Sequence, residues 1–201
     1  MVSSALILVL LSADGRQWKE VSNKDGLVVE QRELPGSPYY EFRVTTDTDV
    51  SPGALCDGIY EWSSIGKDHD QLKDRRLLED RGDTRIVYDE ISTPTPVSPR
   101  DLTFSIKRER RPDGFCKLTF ANTTEKAPAL RKGFVRLERL AGYWQFEPRA
   151  GGTHVVYVIH SDPGGGLPGH LVVGPQRDAA QKTVQKGIRL CRQAMTGARR
   201  P

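Results

Sequence analysis

His160-Ser161-Asp162-Pro163-Gly164-Gly165-Gly166-Leu167-Pro168, running on into Gly169–Met195, is the stretch that decides the fold. Its first part is so rich in Gly and Pro that it reads as a turn or loop. Its second part is the one long helical pattern in the chain. Ala180, Val184, Ile188, Cys191 and Met195 recur at i, i+4, i+8, i+11 and i+15, one stripe of a 3.6-residue helix. Lys182, Lys186, Arg189 and Arg192 occupy the other faces. Pro175 fits the first turn of this helix, or kinks a longer one that starts near Pro168. Nearly everything upstream reads as strands. One amphipathic helix and many strands predict an α+β protein: a curved antiparallel sheet with the helix across its concave side and a site beneath the helix.

Working upstream, Thr153–Ser161 is apolar on both faces (Val155, Tyr157 and Ile159; Val156 and Val158), which predicts a central strand covered on both sides. Phe134–Pro148 reads as one long strand. Its apolar parity switches from Val135 and Leu137 to Leu140, Trp144 and Phe146, which predicts a bulge or sharp bend near Glu138–Arg139. Phe115–Thr123, Asp101–Arg110, Thr84–Ser92 and Arg75–Asp80 are further strands. In them Leu102, Phe104 and Ile106, and Cys116, Leu118 and Phe120, alternate with polar residues, so one face is dry and one wet. Leu27–Leu34 and Tyr39–Asp47 are the first two strands, and Trp18–Asn23 a short amphipathic piece. Ser51-Pro52 opens a short helix, with Ser as N-cap and Pro at the first helical position. Leu55, Ile59 and Trp62 form its apolar face, and Ile65–Leu72 is polar loop.

The 201 residues suit one domain, 37% hydrophobic and 28% charged, as in a globular protein. The net charge is +4, but Gln176–Pro201 alone carries +6, leaving −2 for the rest. A basic helix and tail suit a solvated face or an anionic lipid surface. No zinc-finger, RNP-type or helix-turn-helix pattern accompanies the charge, so no nucleic-acid partner is expected. Residues 1–13 contain Ala5-Leu6-Ile7-Leu8-Val9-Leu10-Leu11, too short to span a bilayer and similar to the core of a secretory signal. No Lys or Arg precedes it. Export to the periplasm or beyond is the expectation, with a cytoplasmic protein as the alternative, and residues 14–201 as the domain.

Motifs for chemistry are mostly absent. His69, His154, His160 and His170 have no His or Cys at metal-ligand spacing, and no cofactor or metal is expected. His154 and His160 share a face of the last strand and read as surface or hydrogen-bonded core residues rather than a site. Nothing supports a nucleophilic Cys56 with His69. The cysteines, Cys56, Cys116 and Cys191, make no disulfide framework, and the last two read as small buried hydrophobes. Asp89, Glu90, Arg136 and Arg139 lie in otherwise apolar strands, where one pair could face inward as an ion pair. Lys126-Ala127-Pro128-Ala129-Leu130-Arg131-Lys132-Gly133 joins two strands with an apolar tip among three cations. It is either an exposed loop or a gate, at Ala129–Lys132, that touches a bilayer, with Leu130 dipping in while Lys126, Arg131 and Lys132 meet phosphates.

Several short motifs occur in a telling order: Asp25-Gly26, Arg32-x-x-Pro35-Gly36-Ser37, Pro96-Val97-Ser98-Pro99-Arg100-Asp101, Lys132-Gly133-Phe134-Val135-Arg136, Gly142-x-Trp144-x-Phe146-x-Pro148 and Asp162-Pro163-Gly164-Gly165. Over roughly Trp18–Met195 the chain resembles bacterial START-domain proteins, the steroidogenic-acute-regulatory-related lipid-transfer family. The resemblance implies a helix-grip fold, with an incomplete antiparallel barrel gripping the C-terminal helix around a lipid-sized cavity. It implies binding or transfer of a hydrophobic molecule without catalysis, and a gate that matches Glu125–Gly133 and Pro168–Met195 here. The strand after Pro-x-Arg-Asp departs from the family pattern of an internal Arg or acid: Leu102, Phe104 and Ile106 are all apolar. A headgroup contact would come from elsewhere, such as Arg136 or Glu90.

The expected ligand-binding residues are Leu102, Phe104, Ile106, Leu118, Phe120, Arg136, Trp144, Phe146, Val184 and Ile188. A buried chain gains ~0.8 kcal/mol per CH₂ removed from water, so few polar contacts are needed. The alternative is a cyclase- or hydrolase-like enzyme acting on a hydrophobic substrate in the same cavity. It would be marked by a cluster of titratable side chains pointing inward.

Overall fold

The computed structural model describes residues 17–197; the apolar run expected to be an export signal lies outside them. Ten strands and two helices follow in the order β1 (Lys19–Lys24), β2 (Leu27–Glu33), β3 (Tyr40–Thr48), α1 (Pro52–Ser64), β4 (Leu72–Asp80), β5 (Thr84–Ile91), β6 (Arg100–Arg110), β7 (Cys116–Asn122), β8 (Val135–Arg136), β9 (Arg139–Arg149), β10 (Gly152–Asp162) and α2 (Gly169–Met195). The strands form one sheet ordered β1-β2-β3-β10-β9-β7-β6-β5-β4, antiparallel along that path. β8 stands off the path and pairs in parallel with the start of β6.

The sheet's inner face carries the alternation seen in the sequence. Phe42 and Val44, Leu102, Phe104 and Ile106, Leu118 and Phe120, Trp144 and Phe146, and Val155 and Tyr157 join one buried cluster with both helices. Each large side chain in it contributes roughly 1.5–3 kcal/mol by leaving water. Ser51 caps α1, its Oγ accepting from Ala54 N at 3.4 Å, with Pro52 in the first turn. The two helices approach closely because glycine faces a side chain on each. A Cβ on Gly187 would come within 2.5 Å of Ile59, and one on Gly58 within 2.5 Å of Cys191 Sγ.

The Pro-x-Arg-Asp and Asp-Pro-Gly-Gly motifs turn out to touch. Arg100 is buried and donates to the carbonyls of Ser98 (2.5 Å), Pro163 (3.1 Å) and Gly164 (3.2 Å). Tyr39 Oη donates to Leu167 O at 2.8 Å. Together they fix the loop from which α2 departs. Asp101 accepts from both Arg136 (2.8 and 2.7 Å) and Tyr88 Oη (3.0 Å) on the outer face.

Three details differ from the sequence reading, and one open alternative is decided. Lys19–Lys24 is a strand, so the short helix follows the third strand rather than the second. The parity switch marks a full break: Val135–Arg136 pairs with β6, whereas Arg139 onward pairs with β10. Of the two placements open for Pro175, the longer helix is the one observed: α2 starts at Gly169, and Pro175 lies inside it, where it offers no donor to the carbonyl one turn back. Cys56 and Cys116 form a disulfide with Cα atoms 6.0 Å apart, tying α1 to β7. Period-2 patterning identified Cys116 as inward-facing, but α1 brings Cys56 over it, and only the fold records that proximity. Cys191 remains a buried free thiol, as expected.

Candidate functional site

Between the sheet and α2 lies a cavity of about 500 Å³. Leu102, Phe104, Ile106, Phe120, Trp144 and Tyr157 supply an apolar wall from β6, β7, β9 and β10, extended by Leu137, Leu140 and Ile159. α2 presents Pro175, Ala179, Lys182, Thr183 and Lys186, and the α1–β4 loop closes the rim with His69, Asp70 and Gln71, next to Leu72 at the start of β4.

One corner is polar. Arg75 of β4 and Asp89 of β5 oppose each other in register, side chains 6% and 7% exposed. Arg75 Nε and Nη2 donate to Asp89 Oδ1 and Oδ2 at 2.7 and 2.5 Å. Arg75 Nη1 donates to the carbonyls of Trp62 and Gly66, both at 3.0 Å, and lies 2.9 Å from His69 Nε2. A guanidinium has five N–H groups. Among the described residues, these acceptors leave one Nη2 hydrogen without a partner, at the cavity wall. Burial pushes the Asp89 carboxyl up, opposed by its bonds from Arg75.

His69 stacks on Trp62, ring centroids 4.1 Å apart. Burial, then the neighbouring Arg75 charge, lowers its pKa to about 4, so the ring is neutral at pH 7. His69 Nε2 lies 2.9 Å from Arg75 Nη1 and 3.1 Å from Trp62 O, so the tautomer sets whether it accepts from the guanidinium or donates to the carbonyl. At the rim, Lys186 Nζ lies 2.7 Å from Asp70 Oδ1 and 3.0 Å from Asp68 Oδ1, joining α2 to the α1–β4 loop. The hydrogen bond to Lys186 holds the Asp70 carboxyl below its usual range.

The family model described as the START domain matches residues 8–185. The chain belongs to the START-domain family. An uncharacterized protein of Pseudomonas aeruginosa is 27% identical over 196 residues, covering 94% of this chain and 93% of that protein. The STAR-related lipid transfer protein of Xanthomonas axonopodis superposes with a TM-score of 0.77 at 27% identity, covering 88% of this chain and 99% of that structure. Human STARD10 shares the fold, with a TM-score of 0.72 at 16% identity and coverage of 88% and 73%. The helix-grip architecture expected of a START domain is the one observed.

Within this START domain, five of the expected ligand contacts line the cavity: Leu102, Phe104, Ile106, Phe120 and Trp144. Leu118 and Phe146 are fully buried and do not line it; α1 crosses β7 and β9 there and fills the space. Val184 and Ile188 lie on the buried stripe of α2 but are not among the cavity's lining residues. That stripe packs on α1, so the cavity meets the helix flank instead. Arg136 is on the outer face, neutralised by Asp101. Glu90 is outside too, its buried carboxylate bonded to Arg131. This contact draws in the 125–133 loop: Ala129, Leu130, Arg131 and Lys132 are exposed, and none lines the cavity. The inward ion pair foreseen among the strand charges does exist at Asp89, but its partner is Arg75. His154, bonded to Asp47 at 2.6 Å, is partly exposed, and His160, 2% exposed and held by Tyr40 O and Ser37, is a buried hydrogen-bonded residue; neither lines the cavity.

Proposed function

We propose that this START domain carries a neutral single-chain or compact polycyclic lipid in the cavity under α2 and transfers it between membranes. The observation that carries the reading is a cavity with apolar sheet walls and a pre-neutralised Arg75–Asp89 corner, the other charged lining residues standing on α2 and at the rim. A volume of about 500 Å³ lies within the range of small-molecule sites. At ~30 Å³ per water molecule it equals some fifteen to twenty waters, which suits one chain or one ring system rather than a two-chain phospholipid. Asp89 already balances the charge on Arg75. A ligand hydroxyl can accept from the spare Nη2 hydrogen and donate to Asp89, whereas a carboxylate would face Asp89. Native mass spectrometry of the purified protein, with organic extraction of what accompanies it, tests this. A stoichiometric neutral lipid is expected; a clean apo mass that also ignores offered sterols and fatty alcohols would sink it.

Contact with an anionic membrane belongs to the same proposal. Leu130 is 56% exposed at the tip of a loop that carries Lys126, Arg131 and Lys132, a pattern suited to the interface. Leu130→Asp should slow transfer between liposomes without changing ligand affinity; unchanged transfer removes the loop from the model. Export is proposed as well. A buried Cys56–Cys116 disulfide is at home in an oxidising compartment, and the apolar run at residues 5–11 suits a secretory signal.

A second reading is enzymatic, and the observation favouring it is the ring of titratable groups around the cavity: His69, Asp70, Arg75, Asp89, Asp178, Lys182 and Lys186. Against it, Arg75 and Asp89 neutralise each other and His69 Nε2 is engaged by Arg75. Turnover of a hydrophobic ester or polyketide-like substrate, abolished by His69→Gln, would put this reading first.

A further inference from the structure

Buried tyrosines elsewhere in the chain have satisfied hydroxyls. Tyr39 Oη donates to Leu167 O at 2.8 Å, Tyr60 Oη to Gly82 O at 2.7 Å, and Tyr88 Oη to Asp101 at 3.0 Å. Trp62 Nε1 likewise donates to Asp68 O at 3.1 Å. Tyr157 and Trp144 break this pattern. They are only 4% and 2% exposed, yet among the described residues neither Tyr157 Oη nor Trp144 Nε1 has a hydrogen-bond partner. Both residues line the cavity. They face each other across β9 and β10, ring centroids 4.2 Å apart. Neither atom is among the partnerless polar atoms sealed away from all space, which in the described residues are Thr103 Oγ1 and Gln176 Oε1. Both atoms therefore keep some open surface, on residues that line the cavity. Folded proteins rarely leave a buried phenol or indole N–H unpaired. Burial alone pushes the Tyr157 phenol up, with no charge or hydrogen bond acting on it.

We propose that Tyr157 Oη and Trp144 Nε1 form a second polar subsite that donates to a ligand oxygen remote from the end held at Arg75 and Asp89. This rests on the lipid-binding reading and narrows it: the cargo is a neutral lipid with two oxygens separated by an apolar body. An indole N–H only donates, so the group it meets is an acceptor, a carbonyl or hydroxyl oxygen. β10 and β5 have β9, β7 and β6 between them. Four strand spacings make ~19 Å along the curved sheet, and less across the cavity. That span excludes a short-chain ligand that reaches only one subsite.

Matched probes test the subsite. One pair is a steroid with a hydroxyl at one end and the same steroid with a ketone added at the other; the second is octadecan-1-ol and its mid-chain keto derivative. Dissociation constants are measured by displacement of a fluorescent apolar dye from the wild type, Tyr157→Phe, and the Tyr157→Phe/Trp144→Phe double variant. In at least one pair the wild type should prefer the keto member about tenfold, the worth of a good hydrogen bond. The preference should shrink in Tyr157→Phe and vanish in the double variant; the ratio within a pair is the quantity read, because lost ring contact weakens both members alike. The ligand-free Tyr157→Phe protein should melt no lower than wild type, because it loses only an unpaired hydroxyl. Binding without preference in both pairs, or a preference that survives both substitutions, overturns the subsite alone. Failure of the wild type to bind any of the four overturns the lipid-binding reading and the subsite with it. Should the double variant not fold, Tyr157→Phe alone decides: an undiminished preference overturns the proposal.

Discussion

Arg75 links three things that the chain keeps apart: the end of α1, the loop after it, and β5. Its partners Trp62 O, Gly66 O and His69 belong to the first two, and Asp89 to the third. Replacing it by Met strands a buried carboxylate, and losing one partner of such a pair costs about 3–5 kcal/mol. Urea unfolding of Arg75→Met should show that loss; a change below about 1 kcal/mol would mean the pair is solvated. His69 makes a pH prediction. Its folded pKa, about 4, lies below the ordinary 6.5, so protonation favours the unfolded chain. Its contribution is complete above about pH 6.5 and declines as pH falls toward 4, by up to about 3 kcal/mol. Arg75, Lys186 and Asp68 are the charges acting on it. Urea midpoints at pH 7.5, 5.5 and 4.5 should fall less steeply in His69→Gln than in wild type. Little of this corner was legible in the sequence. Asp89 stood out as an acid in an apolar strand, but Leu72–Asp80 has charges at both parities. Nothing local says that Arg75 is the one turned inward; the carbonyls that receive it come from another element.

The long helix was legible as an element, and its stripe of Ala180, Val184, Ile188 and Cys191 is buried. What the stripe faces was not legible, because α1 claims it through Gly58 and Gly187. The cavity receives the adjoining flank, from Pro175 to Lys186. Here the mouth can be tested. Lys186 bridges to Asp68 and Asp70 on the facing loop, and partly exposed pairs of this kind are worth about 0.2–1 kcal/mol each. Lys186→Met should therefore speed exchange of a bound apolar dye roughly threefold to tenfold. Added salt should speed the wild type and leave the variant nearly unchanged. Equal rates in both proteins would place the entrance elsewhere. The broken strand teaches a similar lesson. The parity switch between Leu137 and Leu140 announced a discontinuity, but whether the chain bends or changes partner depends on β6 being free to accept β8.

At the scale of the whole molecule, the architecture followed from one helix and many alternating strands, whereas the covalent bond did not. Three cysteines allow three pairings, and residues 60 apart in sequence meet only once α1 lies over β7. A closed loop of that length is worth about 4 kcal/mol by chain entropy. The Cys56→Ser/Cys116→Ser double variant should lose stability on that scale in urea melts, with its fold retained by far-ultraviolet circular dichroism. An equal midpoint for wild type and variant would show the bond to be unformed. The bond also partitions the binding site. His69, Arg75, Asp89, Leu102, Phe104 and Ile106 all fall inside the ring from Cys56 to Cys116, while Phe120, Trp144, Tyr157 and α2 follow it in the chain. Under denaturing conditions, a single protease nick within the ring releases no fragment until the disulfide is reduced, whereas a nick in the 125–133 loop frees Trp144, Tyr157 and α2 as one piece. The Arg75–Asp89 wall is thus a closed circuit and α2 a loose end.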